Sequence, residues 1–362
     1  MTILARGQRS HSGRPALDAF FIVSGLLVDP GAIEFAIFDR TAGVQVFPPT
    51  EGDRALVDLA DAPLGDRLSP GRYVADWTAP EDAATGPYEV RWWYRILQAD
   101  TVEWVFVTSF EIVESLPPRY FSMALPTPCY AEVATLREEG VPTSVTDATL
   151  VMKLVLASRL FEQFTGRSFE PRYKAMQLAP QGSRVVMLEE PIIALLSVHI
   201  GTPANFELEP GTDLGVLRVY NRHLQGLLDP DDREAPRIEY ASLGYWADGY
   251  GFGFARRSVT VRGVFGYTDP DSSPTGSTPM LVARAVALMA FRDLAKLADV
   301  ASRDDALKRW KLTGETTRDQ SYSMFGGVDA ATRGALVGGT TGDPELDHII
   351  HLYRRGPRLG AA

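Results

Sequence analysis

A chain of 362 residues, 45% hydrophobic and 23% charged, has the balance of a folded protein and room for two or three domains. Its net charge of −10 argues against tight binding along phosphate backbones, and no apolar run is long enough for a membrane span. Its single cysteine, Cys129, rules out an intramolecular disulfide and a zinc site built on several cysteines.

The charge is uneven. Residues 1–118 carry most of it, with nine Arg, no Lys and seventeen acidic residues, while the remainder is close to balanced. The N-terminal MTILARGQRSHSGRP lacks the apolar centre of a secretory signal, so a protein made in a cytoplasm is expected. Residues 1–15 read as a flexible arm.

From 16 to 114 the pattern has period two. Ala19–Val23, Ile33–Phe38, Tyr73–Trp77, Tyr88–Leu97 and Trp104–Val113 are short aromatic and β-branched runs. Asp29-Pro30-Gly31, Ser69-Pro70-Gly71 and Thr85-Gly86-Pro87 separate them as turns. An antiparallel β-sandwich is expected. The segment Leu68–Tyr94, with its G-x-Y and G-x-Y-x-V-x-W patterns, resembles immunoglobulin-like modules.

Residues 115–129, with Pro117, Pro118, Pro126 and Pro128, read as a stiff linker. A helical domain with a β insertion at about 172–265 is expected over 130–313. A short helix is predicted at Tyr130–Glu139. A strong one follows at Thr146–Gly166, capped by Ser144 or Thr146, with Ser144 and Asp147 spaced as a capping box. Its stripe is Leu150, Val151, Leu154, Ala157, Leu160, Phe161 and Phe164, and Gly166 closes it. Strands are predicted at Arg172–Leu178, Arg184–Leu188, Ile192–Ile200, Val216–Tyr220, Arg237–Tyr240 and Ser258–Phe265. A second strong helix runs Pro279–Leu297, with Thr278 as cap. Residues 314–362 form a Gly/Thr/Ser-rich mobile stretch and then a docking helix opened by Asp343-Pro344-Glu345.

Candidate chemistry is sparse. His348 and His351 share a helix with Glu345 and Asp347, but no third convergent ligand accompanies them. Asp229–Asp232 and Asp269–Asp271 lack the glycine and distal glutamate of a calcium loop. Gly249–Phe254 lacks the Lys-Ser/Thr of a phosphate loop. Cys129 has no nearby histidine base, and no G-x-S-x-G is present. Lys308, Arg309 and Lys311 around Trp310 read as a solvated helix end, or as a contact for nucleic acid or an acidic partner. No catalytic, cofactor-binding or metal residues are assigned, and a non-enzyme is expected.

From residue 130 onward the order of signals resembles the bacteriophage head–tail connector (adaptor) family. The signals are F-x-x-x-T-G-R-x-F at Phe161–Phe169, L-x-x-P-I-I-x-L-x-x-V at Leu188–Val198, the proline-opened helix, Ser321-Tyr322-Ser323, and G-D-P-E-x-D-x-x-I-x-x-Y-R-R at Gly342–Arg355. The resemblance implies a virion protein forming a ring, usually of twelve copies, beneath the portal. Genome DNA would pass through the centre and a neck or tail protein would dock below. Partner contacts are then expected from Leu346, Ile349, Ile350, Tyr353, Arg354 and Arg355 on the terminal helix. Tyr245, Trp246, Tyr250, Phe252 and Phe254 of an aromatic loop are expected to supply others. The alternatives are an adhesion protein binding carbohydrate through Trp92 or Trp93 of the sandwich and, third, a metal-dependent hydrolase.

Overall fold

A computed structural model describes residues 2–10, 17–23, 25–62, 64–117, 128–178, 185–200, 206–208, 217–220, 233, 236–240, 259–271, 273–295, 341 and 343–355. The chain is α+β, with several sheets and a smaller helical part. It divides into two compact units. One joins Met1–Glu114 with Ser168–Pro279, and the other joins Ser115–Arg167 with Met280–Ala362.

In the first unit a sheet runs in the order Thr2–Ala5, Trp104–Val113, Gly86–Arg95, Ala32–Asp39, Val44–Phe47, with Ala55–Leu56 also beside Ala32–Asp39. Thr2–Ala5 pairs parallel to Phe110–Val113, and the other pairs are antiparallel. The period-two pattern does what it predicts: Tyr88, Val90, Trp92 and Tyr94 are buried on one face while their neighbours are half-buried. A second sheet holds Asp18–Phe20, Arg72–Val74 and Arg67–Ser69. Both sheets send side chains into one cluster, with Phe21 at its centre. The Phe21 ring meets Tyr73, Trp92, Tyr94 and Phe106 edge to face, with centroids 5.1–5.9 Å apart. The one polar atom of Trp92 is satisfied, since Nε1 donates to Thr108 Oγ1 at 2.9 Å.

The arm expected at 1–15 is ordered over residues 2–10. Ile3 and Leu4 are fully buried, and Arg9–Ser10 pairs with Trp77–Thr78. Two apolar side chains next to an available strand edge outweigh the polar composition around them. Residues 11–16 lie outside the described residues.

The same unit holds a third sheet, in the order Arg172–Leu178, Val259–Phe265, Ile192–Ile200, Leu26–Leu27, Ile22–Val23, with Phe206–Leu208 beside Ile192–Ile200. Leu26 pairs in parallel with Leu195, and the Leu195 N–H donates to Gly25 O at 3.0 Å. The strands at 172–265 therefore pack with the first third of the chain. This differs from the expected insertion at about 172–265 in a domain spanning 130–313. Gly263 lets two strands close up: a Cβ there would sit 2.3 Å from Ala194 O. A fourth sheet pairs Val185–Met187 and Leu217–Tyr220 with Arg237–Tyr240.

The second unit is helical: α1 (Val133–Glu138), α2 (Asp147–Thr165), α3 (Met280–Ala295) and α4 (Pro344–Tyr353). Thr146, not Ser144, caps α2 by accepting from Thr149 N, and Gly166 ends it in the left-handed region at φ 69°. The Asp147 carboxylate accepts from Arg137 Nη2 at 2.6 Å, tying α2 to the end of α1. Asp343 caps α4 by accepting from Glu345 N and Leu346 N. Thr278, expected to cap α3, donates its hydroxyl to Phe169 O at 3.0 Å. The linker residues 118–127 and residues 296–340, including most of the expected mobile stretch, lie outside the described residues.

Candidate functional site

The helical unit carries three of the motifs that point to a function. α2 packs against α3 and α4, and α3 packs against α4. Leu150, Val151, Leu154, Val155, Ala157 and Phe161 of α2 are buried, as are Val282, Ala285, Val286 and Ala290 of α3. The spacing of α4 is i, i+3, i+4, i+7, and it buries Leu346, Ile349, Ile350 and Tyr353. The stripe expected to meet a partner is therefore spent inside its own chain. A short apolar helix next to two others buries its greasy side at once, because burying each such side chain is worth roughly 1.5–3 kcal/mol.

Polar ties fix the arrangement. The backbone N–H of Arg355 donates to Thr165 O at 2.8 Å, so the end of α4 closes on the end of α2. Asp347 is buried and accepts from Thr341 N at 2.9 Å and Thr341 Oγ1 at 2.7 Å. Lys153 of α2 pairs with Asp293 of α3, and Arg284 of α3 with Glu345 of α4 at 2.8 Å. The Tyr130 hydroxyl donates to Glu162, and its backbone N–H donates to Ser158 Oγ at 3.1 Å.

What this unit leaves outside differs from the expected interface. Leu156 and Leu160 are exposed one turn apart on α2, although Leu160 belongs to the stripe expected to be buried. Val155 and Ser158 take the buried positions, since the apolar face has rotated toward α3 and α4. Met280 and Leu281 at the start of α3 and Leu352 on α4 are also exposed. His348, His351 and Arg354 face solvent. Tyr245, Trp246, Tyr250, Phe252 and Phe254 lie outside the described residues, as do Asp229–Asp232 and Lys308–Lys311.

The metal and nucleophile candidates can be located. Among the described residues no group of three or more His, Cys, Asp or Glu side chains is placed to hold a metal ion. Cys129 is buried, and its thiol donates to Ala131 O at 3.3 Å. No described helix is long and apolar enough to cross a membrane.

In the strand-rich unit neither Trp92 nor Trp93 offers a bare ring. Trp92 is in the core, and the Arg54 guanidinium lies 4.2 Å over Trp93. Arg54 is in turn held by Glu34 at 3.2 Å and Glu103 at 2.9 Å. Among the described residues the exposed tryptophan is Trp104, stacked on Tyr94 at 6.4 Å. No sequence signal separates it from its neighbours except its place at the strand's first position.

The strongest electrostatic hub is Asp29. Burial pushes its carboxyl up, but the Gly71 N–H, the Arg67 guanidinium and the Tyr73 hydroxyl together hold it below the ordinary range. The Tyr73 phenol is pushed up to about 12 by burial and by the Asp29 charge. Asp66 is raised, by burial first and then by the neighbouring Asp76 and Asp58 charges. Asp29 ties its own turn to Arg67, Gly71 and Tyr73, which is the geometry of a structural tie.

Comparison with known proteins finds no family model and no curated relative that matches the chain.

Proposed function

We propose that the chain is a structural virion protein, a head–tail connector (adaptor) that repeats as a ring beneath the portal and makes no covalent chemistry. The reading rests on one observation. The motif-bearing segments at 161–167, 280–295 and 343–355 are distant in sequence yet meet in one compact helical unit. There the T-G-R end of α2 is hydrogen-bonded to the Y-R-R end of α4. Motifs scattered over nearly 200 positions converge in this way when they serve one module.

The strand-rich unit fits an immunoglobulin-like module carried by that connector. In this reading the sheet order Asp18–Phe20, Arg72–Val74, Arg67–Ser69 would correspond to strands B, E and D, and Ala32–Asp39, Gly86–Arg95, Trp104–Val113 to C, F and G. Tyr88 near the start of the F-like strand donates its hydroxyl to Ala84 O at 2.9 Å, the hydrogen bond of a tyrosine corner.

One heterologous contact repeated head to tail closes a ring when its rotation divides a full turn. With the α4 stripe buried, the large apolar residues exposed among the described residues of the helical unit are Leu156 and Leu160 of α2, Met280 and Leu281 of α3 and Leu352 of α4. The portal and the neck or tail protein are the partners above and below. The near-neutral balance of residues 119–362 lets DNA slide, because counterion release rewards only positive contacts. The test is electron microscopy of intact particles, with binding of purified chain to portal rings. Density for this chain at the junction of shell and tail, and loss of portal binding in the Leu156→Glu, Leu160→Glu double variant, are expected. Density anywhere else in the particle overturns the reading.

A further inference from the structure

In the strand Trp104–Val113, residues Trp104–Ile112 are paired on one side with Gly86–Tyr94. On its other side Thr2–Ala5 covers only Phe110–Val113. Among the described residues no strand pairs with Trp104–Ser109 on that side. Six residues leave about 20 Å of open edge, the length of an ordinary strand. Such an edge presents a row of main-chain donors and acceptors, and proteins normally guard it with lysine, proline, a bulge or a very short strand. Trp104-Val105-Phe106-Val107-Thr108-Ser109 has no charge and no proline, and its ladder with Gly86–Tyr94 runs without a register shift. Trp104 and Val105 are about half exposed, at 47% and 55%.

The opposite edge of the same sheet is guarded. Val44–Phe47 is four residues long, its pairing shifts register between Ile37 and Phe38, and Pro48 follows it directly. The Gln45 side chain gathers the next loop beside it, donating to Pro48 O, Thr50 O and Asp53 O and accepting from Gly52 N.

We propose that Trp104–Ser109 is a homodimer contact, where the same edge of a second copy pairs antiparallel across a two-fold axis. The contrast between the edges selects this occupant. The same sheet of a second copy offers one guarded edge and one open edge, so growth of this sheet in a head-to-tail sense is blocked and open-to-open pairing remains. A two-fold axis normal to the sheet sets one residue opposite its own copy, and Phe106 and Val107 are the middle two of the six. Self-pairing is costly for a charged strand because like charges face each other, and this strand has none. The open stretch ends at Phe110 in both copies, where Thr2 begins its own pairing, so the two strands match in length. The inference is independent of where the protein acts.

The test is sedimentation of the full chain over a range of concentrations, combined with amide hydrogen exchange. The wild type is expected to double in mass as concentration rises, with protection of the 104–109 amides rising in step. Val105→Lys puts a lysine opposite the partner strand at an exposed position. It is expected to weaken the dimer at least about tenfold while the circular dichroism spectrum is retained. A wild type that stays monomeric, with 104–109 exchanging fast at every concentration, overturns the proposal. So does protection of these amides in the monomer, since the chain would then cover its own edge. An oligomer whose 104–109 amides still exchange fast overturns it as well, because its contact lies elsewhere.

Discussion

The two units solve the burial problem with different materials. The sandwich of the strand-rich unit packs large rings, with Tyr73, Trp92, Tyr94 and Phe106 gathered around Phe21, while the same unit's cluster of Met176, Ile192, Leu195, Val198, Val259 and Val261 is aliphatic. The helical unit packs mainly aliphatic side chains, and its closing piece, α4, begins at Pro344, almost fifty positions after α3 ends at Ala295. A core built on one central ring fails when that ring is lost. A core closed by a remote helix fails when that helix is loosened, and each failure should be confined to its own unit. Phe21→Ala is accordingly the most damaging single change expected, at about 3–5 kcal/mol. It should lower the aromatic circular dichroism band and the melting step of the strand-rich unit while helical signal persists. Loss of both units in one step would mean that they fold as one.

Ile350→Ala comes next. Ile350 is buried at the centre of the α4 stripe, and its truncation is expected to cost about 2–4 kcal/mol. The loss should appear in helical signal and in protease sensitivity after Ala295, with the strand-rich unit unchanged. Retained stability would mean that α4 contributes little to the unit it closes.

The elements were more legible than their assembly. Arg172–Leu178, Ile192–Ile200 and Trp104–Val113 have the bounds read from the sequence, because alternation, β-branching and flanking turns all agree there. Thr2–Ala5, Val44–Phe47 and Leu26–Leu27 are too short to show a period, and they exist because a neighbouring strand offers them an edge. The expected tie between 172–265 and the helices followed chain order. The single parallel pairing of Leu26 with Leu195 is a long-range event with no local signature. The α4 stripe was read correctly as apolar, but periodicity reports that a face is buried and is silent on what buries it. The open edge at 104–109 was equally hidden: strand sequence gives the faces, whereas an edge is defined by which strand is missing beside it.

A smaller effect distinguishes the units by pH. Asp29 has its carboxyl below the ordinary range, so its folded form gains stability above the unfolded value near 4, and that gain is lost as pH falls through the lowered value. Asp66 has the opposite sign. Its raised carboxyl costs stability once pH rises through its folded value. Asp29→Asn is expected to cost about 1 kcal/mol at neutral pH, with solvent around the half-exposed pair reducing the charge contribution. The variant should also lose part of the acid limb of the stability curve in the strand-rich unit, read as melting temperature from pH 2 to pH 7. An unchanged limb would assign acid sensitivity to other carboxylates.

The smallest expected effect tests what holds α4 in place. Arg284 and Glu345 join α3 to α4 at 2.8 Å, but both side chains are half exposed, and such pairs contribute about 0–0.5 kcal/mol. Asp343 instead accepts two first-turn N–H groups of α4, a cap worth about 1 kcal/mol. Arg284→Ala should therefore move the helical melting step less than Asp343→Ala, and its small effect should vanish in high salt. If Arg284→Ala proved the more damaging of the two, α4 would be held by charge at its rim. The buried Leu346, Ile349 and Ile350 would then count for less than their burial implies, and the contrast between a ring-centred core and a helix-closed core would lose its second half.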